Sequence, residues 1–299
     1  MTHYPYGFSG GVTIRGVPIL SQYPNKVFWV SSGVGSNGNH GKSPEKPFAT
    51  LDYAVGRCTA NKGDIIFLMP GHAENIASAG ALDLDIAGIS VIGLGHGSLR
   101  PTFTFITDTL ADADVDAANI TLQNILFKCD IDSLAAGIDV NAAGFAIIEC
   151  EFQIVGTDDA LIWVITDANA DDMLIQGSVF RGSNAGPTEV IRLVGADRAK
   201  IINNYIIGSY STAAINGITT ASLEILIAYN TICNSVTDKL AVDLVASCTG
   251  RICYNNGTVV STGNITDANV IDAASCQLAQ NYFSDAAGET GKLIGTVSA

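Results

Sequence analysis

The sequence is short of the features that most often announce a function. No apolar run reaches the roughly 18 residues of a membrane span, which argues against a membrane partner. Only 15% of residues are charged, with Lys+Arg 15 against Asp+Glu 29 and a net charge of −14. An acidic surface repels phosphate backbones, so nucleic acid is not an expected partner. It also makes a polyanionic sugar an awkward ligand unless a metal ion bridges. The four histidines, His3, His40, His72 and His96, all lie in the first third of the chain. The seven cysteines (Cys58, Cys129, Cys150, Cys233, Cys248, Cys253 and Cys276) form no CxxC pair and read as small buried hydrophobes. The opening MTHYPYGFSGGVT has neither a basic n-region nor an apolar h-region, so it is not expected to be a secretory signal peptide. Free thiols fit that reading.

What is present is a repeat. From residue 118 onward one unit is written seven times. Closing alanines at Ala142, Ala168, Ala196, Ala221, Ala246, Ala273 and Ala299 are spaced by 26, 28, 25, 25, 27 and 26 residues. A second series, Phe127, Phe152, Phe180, Ile206, Ile232, Thr258 and Phe283, keeps the same period. Two places earlier stand Cys150, Ser178, Asn204, Asn230, Asn256 and Asn281. Each unit holds short β-branched runs with period-two alternation, such as Ile120–Leu122 and Ile138–Val140, separated by Gly, Ser, Asn, Asp and Thr. Such runs are too short for helices and suit strands. The pattern predicts an all-β fold, a single right-handed parallel β-helix with coils of about 26 residues stacked roughly 4.8 Å apart. The Phe/Ile series would form an inward stack and the asparagines a partial ladder. Cys248 and Cys276, each just past a unit boundary, are expected on adjacent coils.

Three regions follow. Residues 1–25 read as an assembly arm, docking through Tyr4, Tyr6, Phe8 and the segment containing Ile14, Val17 and Ile19. Residues 26–62 provide an entry strand (26–30), a Gly/Asn/Ser loop and a short capping helix over 47–58. Its apolar face would be Phe48, Leu51, Ala54, Val55 and Cys58. Residues 63–299 form the β-helix, with Ile65 and Ile89 at matching positions of the first coils and a protruding acidic loop at 108–117. The chain stops in phase with the repeat, which predicts an open end needing cover from another chain.

The segments GSNGNHGKSPEKPFATLDYAV, KGDIIFLMPGHAENI and GISVIGLGHGSLRPTFTF give a resemblance. Together they resemble the entry of pectin-lyase-like right-handed β-helix proteins. The layout, with a Gly-rich head reading GVTIRGVPI, is similar to β-helix components of tailed-phage virions. That resemblance implies a virion-surface protein made in the host cytoplasm, partnered by phage capsid or tail proteins and homo-oligomeric, usually trimeric. The same superfamily includes polysaccharide lyases and hydrolases, so a catalytic set must be sought. Gly95-His96-Gly97 is similar to a polygalacturonase motif, but it precedes Asp158-Asp159 and Asp171-Asp172, the reverse of the family order. Arg198-Ala-Lys200 only loosely resembles its basic element, and the Asn-Thr-Asp element is missing. A lyase-like calcium site would draw on Asp130, Asp132, Asp139, Asp158, Asp159, Asp167, Asp171 and Asp172, which also read as a solvated acidic ridge. Trp163 is the sole tryptophan of the repeat, a thin supply for sugar stacking. The expectation is therefore a non-enzymatic capsid decoration, cement or head-protrusion protein with no catalytic, metal or cofactor residues. The alternative is a tailspike-like polysaccharide-binding protein or depolymerase.

Overall fold

A computed structural model describes residues 12–14, 17–19, 26–182, 186–286 and 291–294. Within them the chain winds as a parallel β-solenoid with three sheets. Each full coil contributes one strand to each sheet, as in Thr121–Gln123, Leu126–Cys129 and Ile138–Val140. Sheet I runs from the entry strand Val27–Val30 to Cys276–Ala279. Sheet II runs from Ala73–Ile76 to the C-terminal coil, and sheet III from Leu82–Asp83 to Ile271–Asp272.

Strand alternation sends one side chain of each pair inward. Register puts Phe103, Phe127, Phe152 and Phe180 in one inward column, with centroid spacings of 5.9, 5.1 and 4.5 Å between successive rings. The column continues with Ile206, Ile232, Gly257 and Phe283. Gly257, not Thr258, holds the sixth expected place; Thr258 pairs with Cys233 one step later. A side chain built at Gly257 would meet the Ile232 carbonyl at 1.7 Å, so the coil closes there only with glycine. Trp163, 1% exposed, lies against Phe152 and Phe105, which places it in the core and not on a sugar-facing surface.

Four other expectations shift. The helix is only Leu51–Val55, since Phe48 is extended and bridges Val30; Leu51, Ala54 and Val55 are buried as expected. Ile65 pairs with Ser90, and Ile66 with Val91, so Ile89 falls one place out of register. The expected acidic loop at 108–117 contains a strand, Ala113–Val115, in which Ala113 and Val115 are buried and Asp114 faces out. At the far end, Gly291–Ile294 folds back antiparallel on Asn281–Asp285, so a hairpin covers the last strand of sheet II. Among the described residues, sheets I and III end on uncovered strands.

The arm positions Tyr4, Tyr6 and Phe8 lie outside the described residues. Ile14, Val17 and Ile19 fall in two strands, Val12–Ile14 and Val17–Ile19, which pair antiparallel with each other and, among the described residues, with no other strand.

Candidate functional site

The turn between sheets I and II has one residue in the left-handed region in every repeat coil. The column is Asn124, Glu149, Gly177, Asn203, Tyr229, Tyr254 and Gln280, with φ between 52° and 63°. The next residue points inward. In the last four coils it is Asn204, Asn230, Asn255 and Asn281, all buried. Asn255, not Asn256, holds the ladder place, for the same one-residue slip that moves Gly257. Each amide oxygen accepts the backbone N–H of the preceding coil's ladder residue: Asn230 to Asn204 at 2.9 Å, Asn255 to Asn230 at 2.9 Å, Asn281 to Asn255 at 3.1 Å. Each Nδ2 donates to a sheet I carbonyl, as Asn230 does to Ile201 at 2.8 Å. Ser178 and Cys150 extend the series with fewer bonds. Inside a dry core these groups must be paired, and the ladder pairs them all.

The ladder fixes what the turn displays. Left-handed backbone suits Asn or Gly, and a bulky aromatic there is uncommon. Tyr229 and Tyr254 nevertheless occupy it at φ 58° and 57°. Their rings stack 5.0 Å apart with a 2° interplanar angle, and they remain 60% and 46% exposed. Beside them the last coils of sheet I are hollowed. Concavities of about 410 and 490 Å³ share Arg251 and Gln277. Tyr254, Leu278 and Ala279 line one, and Glu224, Leu226 and Thr249 the other. Gly250 (φ 142°) lines the second hollow, where an added Cβ would come within 2.1 Å of the Ile225 carbonyl. The result is a groove with an aromatic platform, a guanidinium and amide donors, and one carboxylate, Glu224, among its described lining residues. Neutral hydroxyl-rich rings suit such a surface: apolar faces stack on tyrosine and hydroxyls bond to Arg251 and Gln277.

The carboxylates singled out in the sequence are elsewhere. Asp171 and Asp172 both pair with Arg198, at 3.0 and 2.8 Å, which draws this arginine of the loosely matched basic element into an ion pair. Asp159 accepts the Ser133 N–H at 2.6 Å, and Asp167 is bonded to Asn169. His96 precedes the short turn Gly97–Leu99, well away in sequence from both Asp pairs. Glu151 binds Arg100 and Arg181, and buried Glu189 binds Arg192 and Asn216.

A different face, the outside of sheet III, stacks Asp83, Asp114 and Asp139 on successive coils. Burial, with Asp112, Asp116, Asp139 and Asp83 nearby, pushes Asp114 up to about 6. Asp83, Asp112 and Asp139 are also raised, chiefly by burial. Among the described residues no three His, Cys, Asp or Glu are grouped to hold a metal ion. The cysteines are unbridged; burial pushes Cys129 and Cys150 up to about 12, so they are unreactive thiols. Cys276 donates to the Cys248 carbonyl at 3.5 Å, so these two do stand on adjacent coils.

The sequence reading missed Tyr229 and Tyr254. The signal was there: Tyr-Asn at 229–230 recurs as Tyr-Asn at 254–255, on the ladder period.

No family model matches the sequence, and no curated protein matches it. Among solved structures the chain is similar to a rhamnogalacturonan lyase, at 14% identity and TM-score 0.47, over 78% of this chain and 74% of that one. It is similar to a lacto-N-biosidase from Eubacterium ramulus, at 12% and 0.46, over 87% of this chain and 68% of the other. It is also similar to the tailspike protein of an Acinetobacter phage, at 14% and 0.45, covering 97% of this chain and 64% of the tailspike. The likeness is one of β-helix fold.

Proposed function

We propose that this chain is a rigid β-helical component of a tailed-phage virion that binds a neutral cell-surface polysaccharide without cleaving it. The observation that carries the binding is the exposed Tyr229–Tyr254 stack beside the groove at Arg251 and Gln277. The net charge of −14 favours a neutral glycan over an anionic one. Hydrolysis of a glycosidic bond ordinarily takes two carboxylates flanking it, and the described groove supplies one. The virion placement rests on the resemblance in the sequence.

The test is calorimetric titration of the chain with a panel of purified capsular and O-antigen polysaccharides, together with a reducing-end assay. At least one neutral polysaccharide is expected to bind, with affinity falling tenfold or more in Tyr254→Asn, a loss of about 1.4 kcal/mol. Binding that is indifferent to Tyr229, Arg251 and Tyr254, or no binding at all, overturns the groove. Release of new reducing ends overturns the non-enzymatic part.

A second placement, on the capsid as a homotrimeric decoration, cement or head protrusion held by residues 1–25, is favoured by the Val12–Ile14/Val17–Ile19 hairpin. Two strands alone are marginal in water and take stability from a partner. Electron microscopy of particles carrying the full chain or the 1–25 deletion tests it. Symmetric shell density lost on deletion supports the capsid; density at the tail tip points to a tailspike.

A further inference from the structure

Charge is unevenly distributed along this acidic chain. Residues 1–62 hold six Lys or Arg against two acidic residues, whereas residues 63–299 hold nine against 27. In the shaft, Arg100, Arg181, Arg192 and Arg198 each pair with a Glu or Asp. Among the described residues, Lys26, Lys42 and Arg57 have no such pair, yet all three line a single hollow of about 340 Å³ at the first coil. Phe28, Asn39, His40, Phe48 and Tyr53 complete it. Lys26 Nζ donates to the Arg57 carbonyl at 2.8 Å, and the Arg57 guanidinium lies over the Tyr53 ring, 4.6 Å from its centroid. Gly41, at φ 67°, brings the loop wall against the Phe48 ring, where a Cβ would clash at 2.2 Å. The site thus holds three cations around an aromatic floor, none in a side-chain ion pair among the described residues.

We infer that this hollow docks an acidic segment of a partner protein, one that presents Asp or Glu carboxylates on their methylene stems. Buried Asp64 accepts the Lys26 backbone N–H beneath, but no carboxylate lines the hollow itself, and cations gathered there repel one another until one enters. The ring floor suits side-chain stems better than a bare ion. A nucleic acid would continue from the hollow onto the acidic coils. A short acidic segment ends there, and at physiological salt the shaft's charges are screened beyond about 8 Å. The chain's own residues 1–25 contain Arg15 and no acidic residue, so they do not fit by charge. This inference is independent of the glycan groove, which lies at the other end of the solenoid.

The test is fluorescence anisotropy of a labelled hexaglutamate peptide with the full chain. Binding is expected, weakened at least roughly tenfold at ~1 M salt, where the screening length falls to about 3 Å. Lys26→Glu with Arg57→Glu should lose it to a similar extent, and Lys200→Glu with Lys239→Glu on the shaft should not. Lys42→Glu, at an exposed loop position, gives the same reading if the double variant does not fold. Absence of binding, equal loss in the shaft variant, or tighter binding of a single-stranded DNA hexamer overturns the proposal.

Discussion

The first and last coils of the shaft solve one stacking problem with different chemistry. From Phe103 to Phe180 the inward column is aromatic, its rings closing to 4.5 Å, and Trp163 wedges in from sheet III. Beside the ladder of buried amides from Asn204 to Asn281 the column lapses to Ile206, Ile232 and Gly257 and regains a ring only at Phe283. Dispersion between rings is non-directional and tolerates small shifts. An amide ladder is directional and holds each turn in one conformation. The half that carries the groove is the half with the ladder. Two tyrosines in left-handed backbone are sustained where each following residue is locked by hydrogen bonds to both sides.

The largest expected effect is on the aromatic side. Phe152→Ala should cost about 3–5 kcal/mol by chemical denaturation, as for other fully buried phenylalanines. Ile232→Ala, at the same column position in the other half, should cost less, about 2–4 kcal/mol, because no rings stack on it. If the two losses are equal, the division between the halves fails.

Next comes Asn230→Ala, which takes a partner from the Asn204 N–H and from the Ile201 carbonyl, both on the preceding coil, at about 1–3 kcal/mol each. Its distinguishing readout is amide exchange: the Asn204 amide should lose protection while the Phe127–Phe180 strands keep theirs. A uniform loss along the shaft would show that the ladder has no local role.

A smaller effect is pH-dependent and belongs to the sheet III acidic column. Asp114 titrates near 6 in the fold against 3.8 for its ordinary value. The folded form therefore takes up the proton more readily. Stability should rise as pH falls from 7 through about 6 towards 4, the repulsive charge being fully present above the folded value. Asp114→Asn should flatten that slope in thermal melts and raise stability at pH 7. A slope unchanged by the variant would remove the column from the account. Below pH 4 the trend should reverse, as Asp172 and Asp238, held low by Arg198 and Thr262, lose their charge.

The smallest effect on stability is expected at Tyr254→Asn, within about 0.5 kcal/mol of wild type, because asparagine suits left-handed backbone. Glycan affinity should nonetheless fall tenfold or more.

The solenoid was legible in the sequence because stacking coils forces a fixed period on inward residues. The Phe127–Phe152–Phe180 spacing and the asparagines two places before it are that constraint written out. The slip at Thr258 and Asn256 arose because the column is filled by Gly257, which offers no apolar side chain to count. The strand at Ala113–Val115 was hidden by Asp114 and the flanking Asp112 and Asp116; aspartate is rare in strands, but Asp114 is free to point outward from one. The hairpin at the C-terminal end was masked by Gly288-Glu-Thr-Gly291, a turn-forming run that could equally close a coil. Of the groove, only the ladder was legible. Tyr229 and Tyr254 belong to the turn, outside the strand periodicity, and their stacking depends on a coil-to-coil register that a linear reading does not display.

The most direct test of the account is amide hydrogen exchange of the chain with and without the tightest-binding polysaccharide of the panel. Protection should gather at 224–229, 249–254 and 275–279, the three neighbouring coil segments that line the groove. Protection centred on Asp83, Asp114 and Asp139, or none anywhere along the shaft, would contradict it.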